Sequence, residues 1–411
     1  MCGQGAGSSD LLGRAVTGDL ALYTGFLFID SMSKSINSPI SPCCSSLLLC
    51  DSMKAVVNMR DEVVSKAVGS DEQLSFRSLL LRVLRGEDLN RAEARLLLDS
   101  LLGEEVTDAQ IGAALAALAA KGETVEELVG MAEVMRERAT RIRARHATFV
   151  DTAGTGSSSV KTFNVSTAAA FVTASAGLPV AKHGSRAVTS RTGSADVLTA
   201  LGVGTSVPAE VSEKCLNELG ICFMFAPLYH SATARVAGVR RELGIHTVFN
   251  LLGPLTNPAR APRQVMGVWR AELVEPLARA LSMLGAERAW VVHGSDGLDE
   301  VTTSGKTRVA EAAEGRVTLF DIEPEDFGLR RSALEGVRVS DADQSASVVR
   351  SILSGERRDE ARDLVLANAA AALFVGGAAG NLKDAARLAR EKLESGAARA
   401  KLEEFVKATN E

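Results

Sequence analysis

At 411 residues, 46% apolar and 24% charged, the chain is long enough for two packed domains around a large buried core. Its formal charge of −5 supplies no basic field, which argues against nucleic acid as a partner and leaves any anion to be held by local geometry. Six cysteines without a Cys-x-x-Cys pair argue against a disulfide framework or structural zinc, and no run approaches the roughly 18 apolar residues that span a bilayer.

Residues 1–73 are rich in Ser, Gly and Cys and lack a sustained hydrophobic period. They are expected to be an artefactual or disordered extension, with Met53 and Met59 as alternative starts. The acid-free run Lys34 to Cys50 gives some support to a transit segment, but Arg is scarce and Asp recurs.

From Leu74 the pattern turns helical. Phe76, Leu79, Leu80, Val83 and Leu84 recur at three- and four-residue spacing up to Gly86. Asn90 can cap a second helix through Leu102, and Thr107 begins a third that ends at Gly122. Thr124 with Glu127 forms a capping box for a fourth, reaching Ala139. Residues 74–145 therefore predict a small all-α domain.

After His146 the rhythm becomes strand, glycine loop, helix. Strands are predicted at Thr148–Asp151, Leu178–Ala181, Gln264–Trp269 and Ala289–His293, and helices at Ser166–Ala176 and Thr192–Leu201. Residues 146–411 thus predict an α/β domain with a mainly parallel central sheet. Gly253-Pro254 and Asn257-Pro258 predict a non-helical loop.

Chemistry concentrates in four stretches. In the first, Gly154 and Gly156 follow a strand and allow backbone amides to converge on an anion; Ser157, Ser158, Thr162, Ser166 and Thr167 add hydroxyls before a helix N-terminus. It is neither a Walker loop nor a dinucleotide fingerprint, and a Gly-x-Gly alone reads more readily as a polar strand-helix connection. In the second, Lys182, His183 and Arg186 emerge from a strand end, with Ser190 and Ser194 after them, a composition that suits phosphate or pyrophosphate. In the third, adjacent Asp299 and Glu300 offer hard oxygen ligands suited to magnesium facing a phosphate cradle. In the fourth, Arg240 offers a planar fork for a carboxylate, the plainer reading being an exposed helix arginine.

Taken together, the segments GTG…TFNVST, KHGSRA…TGSADVL, FAPLYH, VFNLLGPLTNPA and DGLDE resemble, in order, the anthranilate phosphoribosyltransferase family, from about Leu74 to the C-terminus. The resemblance implies a small helical domain beside a larger α/β domain of the nucleoside phosphorylase/phosphoribosyltransferase type, a homodimer formed through the helical part, and a magnesium-dependent step of tryptophan biosynthesis. It implies a phosphoribosyl pyrophosphate site of Gly154, Thr155, Gly156, Ser157, Ser158, Thr162, Asn164, Val165, Ser166, Thr167, Lys182, His183, Gly184, Arg186, Ser190 and Ser194. Gly154, His183, Ser185 and Arg240 would meet anthranilate, and Ser166, Asp299 and Glu300 would hold Mg2+. Lys182 and Arg240 would matter most, by positioning and electrostatics rather than covalent catalysis.

Three departures stand out. Ser157 and Ser158 replace the family's usual Gly-Asp, Ser185 replaces its Asn, and Ala234-Arg235 alters a basic position. A cytoplasmic enzyme is expected, or a plastid one if residues 1–73 are a transit segment. Two competing readings are a pyrimidine nucleoside phosphorylase, which would need phosphate-dependent nucleoside cleavage, and a non-catalytic nucleic-acid-binding relative, which would need a basic surface and lost metal ligands.

Overall fold

The computed structural model describes residues 74–156, 158, 160, 162–186 and 193–411. The expectations for residues 1–73, Ser157 and Ser190 lie outside the described residues.

Four helices open the described chain: α1 (Phe76–Leu84), α2 (Arg91–Leu101), α3 (Asp108–Lys121) and α4 (Val125–Arg138). Each begins at a side-chain cap, Ser75, Asn90, Thr107 and Thr124, with a reciprocal capping box. Such a cap contributes about 1 kcal/mol by satisfying an otherwise orphaned amide. Glu127 does more than close its box. Fully buried, it also accepts from the Leu89 amide at 2.9 Å and pairs with Lys121 at 2.9 Å, tying α4 to the α1–α2 turn and to the end of α3.

The remainder is built on a seven-stranded sheet of order β3-β2-β1-β4-β5-β6-β7. Strands β1 (Val150–Asp151), β2 (Val180–Gly184), β3 (Ile221–Phe225), β4 (Arg263–Gly267) and β5 (Arg288–Gly294) run parallel. β6 (Thr307–Ala313) and β7 (Arg316–Ile322) add an antiparallel hairpin. Three of these strands are absent from the sequence-based prediction. β3 is a short, wholly apolar run that periodicity cannot assign. The hairpin turns at Glu314-Gly315, both at positive φ (52° and 75°), so Glu314 stands where Asn or Asp would have signalled the turn.

Between the strands lie α5 (Val165–Ser175), α6 (Ser194–Ala200), α7 (Ala209–Leu219), the single turn α8 (Ala226–Tyr229), α9 (Ala234–Leu243), α10 (Val248–Leu255) and α11 (Val274–Met283). Helices α12 (Ala342–Leu353), α13 (Glu360–Val375), α14 (Leu382–Glu394) and α15 (Ala397–Ala408) complete the chain. One expectation is corrected: Gly253-Pro254 lies inside α10 rather than in a loop. The proline sits in the last turn, where only one i→i−4 bond is forfeited, and the helix stops one residue later at Leu255. Asn257-Pro258 does lie in a turn.

Two hydrophobic cores cover the two faces of the sheet. One gathers α5, α13, α14 and α15 against Val150, Val180 and Val292. The other joins Leu79, Leu98, Leu115 and Met131 of the first four helices to Val236, Leu252 and Leu277 of α9–α11 and to Met266 and Val291 of the sheet. The helices of residues 74–138 therefore share one core with α9, α10 and α11.

Candidate active site

The sheet order places β4 beside β1, and the connection leaving β1 runs to β2 on one side while that leaving β4 runs to β5 on the other. A crevice opens beyond the carboxyl ends of the strands at such a switch point. The loops of interest hang there: the described residues 152–156, 158, 160, 162 and 163 after β1, Ser185 and Arg186 after β2, and Asp296 to Glu300 after β5.

Their spacing is set by backbone against backbone. The Thr155 amide donates to the Gly267 carbonyl at 2.8 Å, and a Cβ on Gly154 would lie 2.7 Å from that same oxygen. On its other side Gly267 abuts the Asp299 carbonyl. Glycine is the residue that permits this approach. The loops after β1, β4 and β5 are thereby stacked in contact, bringing the glycine cradle beside the acidic pair. Ser158 adds a side-chain tie, its hydroxyl donating to the Gly297 carbonyl at 2.8 Å. The far end of the loop is held by Phe163 on Val337 and by the Asn164 amide on the Ser345 hydroxyl at 2.9 Å.

One cleft is lined by Gly154, Thr155, Gly156, Ser158, Thr162, Asn164, Val165, Ser166, Lys182, His183, Gly184, Ser185, Arg186, Ser194, Arg240, Asp299 and Glu300. Of the described residues assigned a role from the sequence, Thr167 alone is not among the lining; it is buried one position deeper in α5. The first turn of α5 lines the cleft through Val165 and Ser166, and Asn164 caps it by accepting from the Thr167 amide at 3.1 Å.

Lys182 is buried, and its ammonium donates to the Thr152 carbonyl (3.2 Å), the Thr152 hydroxyl (3.3 Å) and the Ser166 hydroxyl (3.2 Å). Burial pulls its pKa down, opposed by the charges of Asp151 and Glu300. The Glu300 carboxyl is pushed up, first by burial and then by neighbouring Asp299, against the pull of Lys182 and of hydrogen bonds from Ser166. A carboxylate so disfavoured as an anion, beside a second carboxylate and a serine hydroxyl, has the donor set and the charge deficit that a divalent cation offsets. Among the described residues no three His, Cys, Asp or Glu side chains cluster as a self-sufficient metal cage. That suits an ion completing its shell with water and substrate oxygens.

The part of the lining around Arg240 is different. Arg240, on α9, lies with its guanidinium 5.0 Å from the centre of the buried Phe249 ring. Burial lowers its pKa, and the ring face helps hold the planar fork. His183 and His230 face one another, ring centres 5.1 Å apart. Burial pushes them down to about 3 and about 4, so both are neutral at pH 7. The Nδ1 of His183 lies 3.0 Å from the Gly253 carbonyl, which can only accept. The proton therefore resides on Nδ1, leaving Nε2, which has no partner among the described residues, as an acceptor. Arg235, the altered basic position, is committed elsewhere, bonding Asp108 at 2.6 Å and the Val106 carbonyl. Phe249, Asn250, Pro254 and Gly267 were not anticipated from the sequence. The first three belong to a segment that read as loop and hydrophobic core, and Gly267 carries no signal outside its packing.

Residues 77–139 match the helical bundle domain, and residues 146–399 the a/b domain, of the glycosyl transferase family. The chain is 48% identical over 334 residues to the anthranilate phosphoribosyltransferase of Desulfosudis oleivorans, covering 81% of this chain and 98% of the relative. It is 52% identical over 335 residues to that of Anaeromyxobacter dehalogenans, with the same coverage. The chain belongs to the anthranilate phosphoribosyltransferase family. Among solved structures of the family, that from Thermus thermophilus superposes with a TM-score of 0.76 at 41% identity, covering 81% of this chain and 99% of that one. The Saccharomyces cerevisiae member in complex with PRPP and Mg gives 0.74 at 27% identity, covering 82% and 99%. Family membership accounts for the helical unit beside a mostly parallel sheet.

Proposed function

We propose that the protein transfers the phosphoribosyl group of phosphoribosyl pyrophosphate to the amino nitrogen of anthranilate, giving N-(5-phosphoribosyl)anthranilate and pyrophosphate, a step of tryptophan biosynthesis. The observation that carries this reading is the joining, in the lining of one cleft, of an anion cradle, a paired carboxylate and an arginine on an aromatic ring. A phosphorylase would need no carboxylate grip.

In the reaction a C–N bond forms at the anomeric carbon as the C–O bond to pyrophosphate breaks, and the nitrogen then gives up a proton. Negative charge grows on the leaving group. The Gly154 and Gly156 amides, the first turn of α5 and the Lys182 ammonium face that charge, while the Thr155 amide is held by the Gly267 carbonyl. Ser166, Asp299 and Glu300 would hold Mg2+, which when bound neutralises diphosphate charge. Arg240 grips the acceptor carboxylate and sets the amine for in-line approach. No covalent nucleophile is required.

The full chain, mixed with anthranilate, phosphoribosyl pyrophosphate and Mg2+, is expected to consume anthranilate fluorescence and release pyrophosphate. An Asp299→Ala/Glu300→Ala variant that still did so at the wild-type rate would remove the metal assignment. Phosphate-dependent nucleoside cleavage by the wild type would point to the phosphorylase instead.

We also propose a cytoplasmic location, on the strength of the bacterial relatives, and a homodimer formed through the helical part, since Leu81 and Leu84 of α1 and Leu96 of α2 are large apolar side chains left in solvent. Leu84→Glu is expected to shift the light-scattering mass from dimer to monomer.

A further inference from the structure

Asp151 ends β1 beneath the cleft and is completely buried. Its Oδ1 accepts from the amide of Ala153 at 2.9 Å and of His183 at 3.3 Å. Its Oδ2 accepts from the side-chain amide of Asn257 at 2.6 Å. Asn257, also buried, donates from the same nitrogen to the Ala181 carbonyl at 2.8 Å and accepts the Ala259 amide on its oxygen at 2.9 Å. The polarity of every contact is therefore fixed. Turning the Asn257 amide over would set its nitrogen against an N–H and its oxygen against two acceptors.

The three segments joined here are those whose separation matters. Ala153 starts the glycine loop, His183 lies at the carboxyl end of β2, and Asn257 follows α10, which supplies Phe249 and Gly253 to the cleft. Gln264 of β4 repeats the tie, donating to the Pro254 carbonyl at 2.9 Å. Burial pushes the Asp151 carboxyl up to about 6, against the opposing charge of Lys182. As a source of stability a buried carboxylate is a poor choice. As one acceptor shared by donors from three segments it determines their spacing.

We propose that Asp151, clasped by Asn257, is a positioning residue that fixes the distance between the diphosphate cradle and the acceptor-facing part of the cleft. The proposal rests on the reaction assigned above, in which these two parts hold the two reactants. Neither residue touches a reactant.

The test compares Asp151→Asn, Asn257→Ala and the double variant in the full chain. In Asp151→Asn one oxygen remains for the two main-chain amides, but an NH2 group faces the NH2 of Asn257. A displacement of this kind is expected to lower kcat by about 30-fold or more, with the KM for phosphoribosyl pyrophosphate within about threefold of wild type. A clasp broken once is not broken twice, so the double variant should be within about threefold of the worse single variant. Losses that multiply in the double variant, or an Asp151→Asn enzyme with wild-type kcat, overturn the proposal. Amide hydrogen exchange supplies a readout that needs no turnover: in Asp151→Asn the Ala153 and His183 amides should exchange about tenfold faster or more, and unchanged protection there also overturns it. If Asp151→Asn fails to fold, Asn257→Ala carries both measurements. If the wild type leaves anthranilate untouched, the assigned reaction is wrong, and the exchange measurement still decides the clasp.

Discussion

A Cβ built on Gly267 would overlap the carbonyl oxygen of Asp299. Gly267 is thus a spacer of zero thickness between the strand carrying it and the acidic loop. Gly267→Ala must push Asp299 and Glu300 away from the glycine cradle, and overpacking of this sort costs about 1–3 kcal/mol of stability. We expect a lower urea midpoint and a Mg2+ requirement raised about tenfold or more, read by titrating turnover with Mg2+.

Arg240 is distinguished from a lysine by its fork and by its contact with Phe249. Arg240→Lys keeps the charge and loses both. Charge-assisted bidentate contacts contribute about 1.5–3 kcal/mol, so the anthranilate KM should rise about 10- to 100-fold. The KM for phosphoribosyl pyrophosphate should stay close to wild type. Steady-state kinetics with each substrate varied in turn separates the two.

Acid stability carries a defined sign. His183 and His230 fall from an ordinary 6.5 to about 3 and about 4 in the fold. Below pH 6.5 the unfolded chain takes up two protons that the folded one refuses, and stability is lost as pH falls through this window. Asp151, raised from 3.8 to about 6, acts oppositely between those values. Near pH 5 these three groups leave a net difference of one proton, or about 1.4 kcal/mol per pH unit. His230→Gln should flatten that slope, and Asp151→Asn should steepen it. Urea unfolding between about pH 4.5 and 6.5, where the unfolded histidines and the folded Asp151 take up their protons, measures both.

Arg136 reaches from α4 to two helix ends, donating to the Leu255 and Leu284 carbonyls at 2.8 Å each. Burial lowers its pKa to about 10, which still leaves it charged at neutral pH. Arg136→Met fills the space but orphans both carbonyls, at an expected loss of about 2–4 kcal/mol in denaturant unfolding.

The helices of residues 74–138 were legible because caps and three- and four-residue spacing agree, as at Thr124 and Glu127. Parallel strands β1, β2, β4 and β5 were found to within three residues at every boundary, the usual uncertainty. β3 and the β6–β7 hairpin were not, since neither alternates cleanly and the turn at Glu314 breaks composition rules. Within the site, hydroxyls, cations and carboxylates following apolar strands were visible as chemistry. What stayed hidden was chemistry set by contact between distant segments. Gly267 matters through Gly154 and Asp299, and Asn257 through Asp151 over 106 positions of sequence. A one-dimensional pattern holds no trace of either.

The two reactants are served by different parts of the scaffold. The cradle and acidic pair hang from strand ends, whereas Arg240 rides on α9, whose Val236 and Val239 share a core with Ile111 and Leu115 and whose Arg235 bonds Asp108. On the function proposed above, the grip on the acceptor carboxylate would be a trait of the helical side and leaving-group chemistry a trait of the sheet. Diversifying α9 and α10 offers a route to new amines while the machinery for expelling pyrophosphate stays untouched.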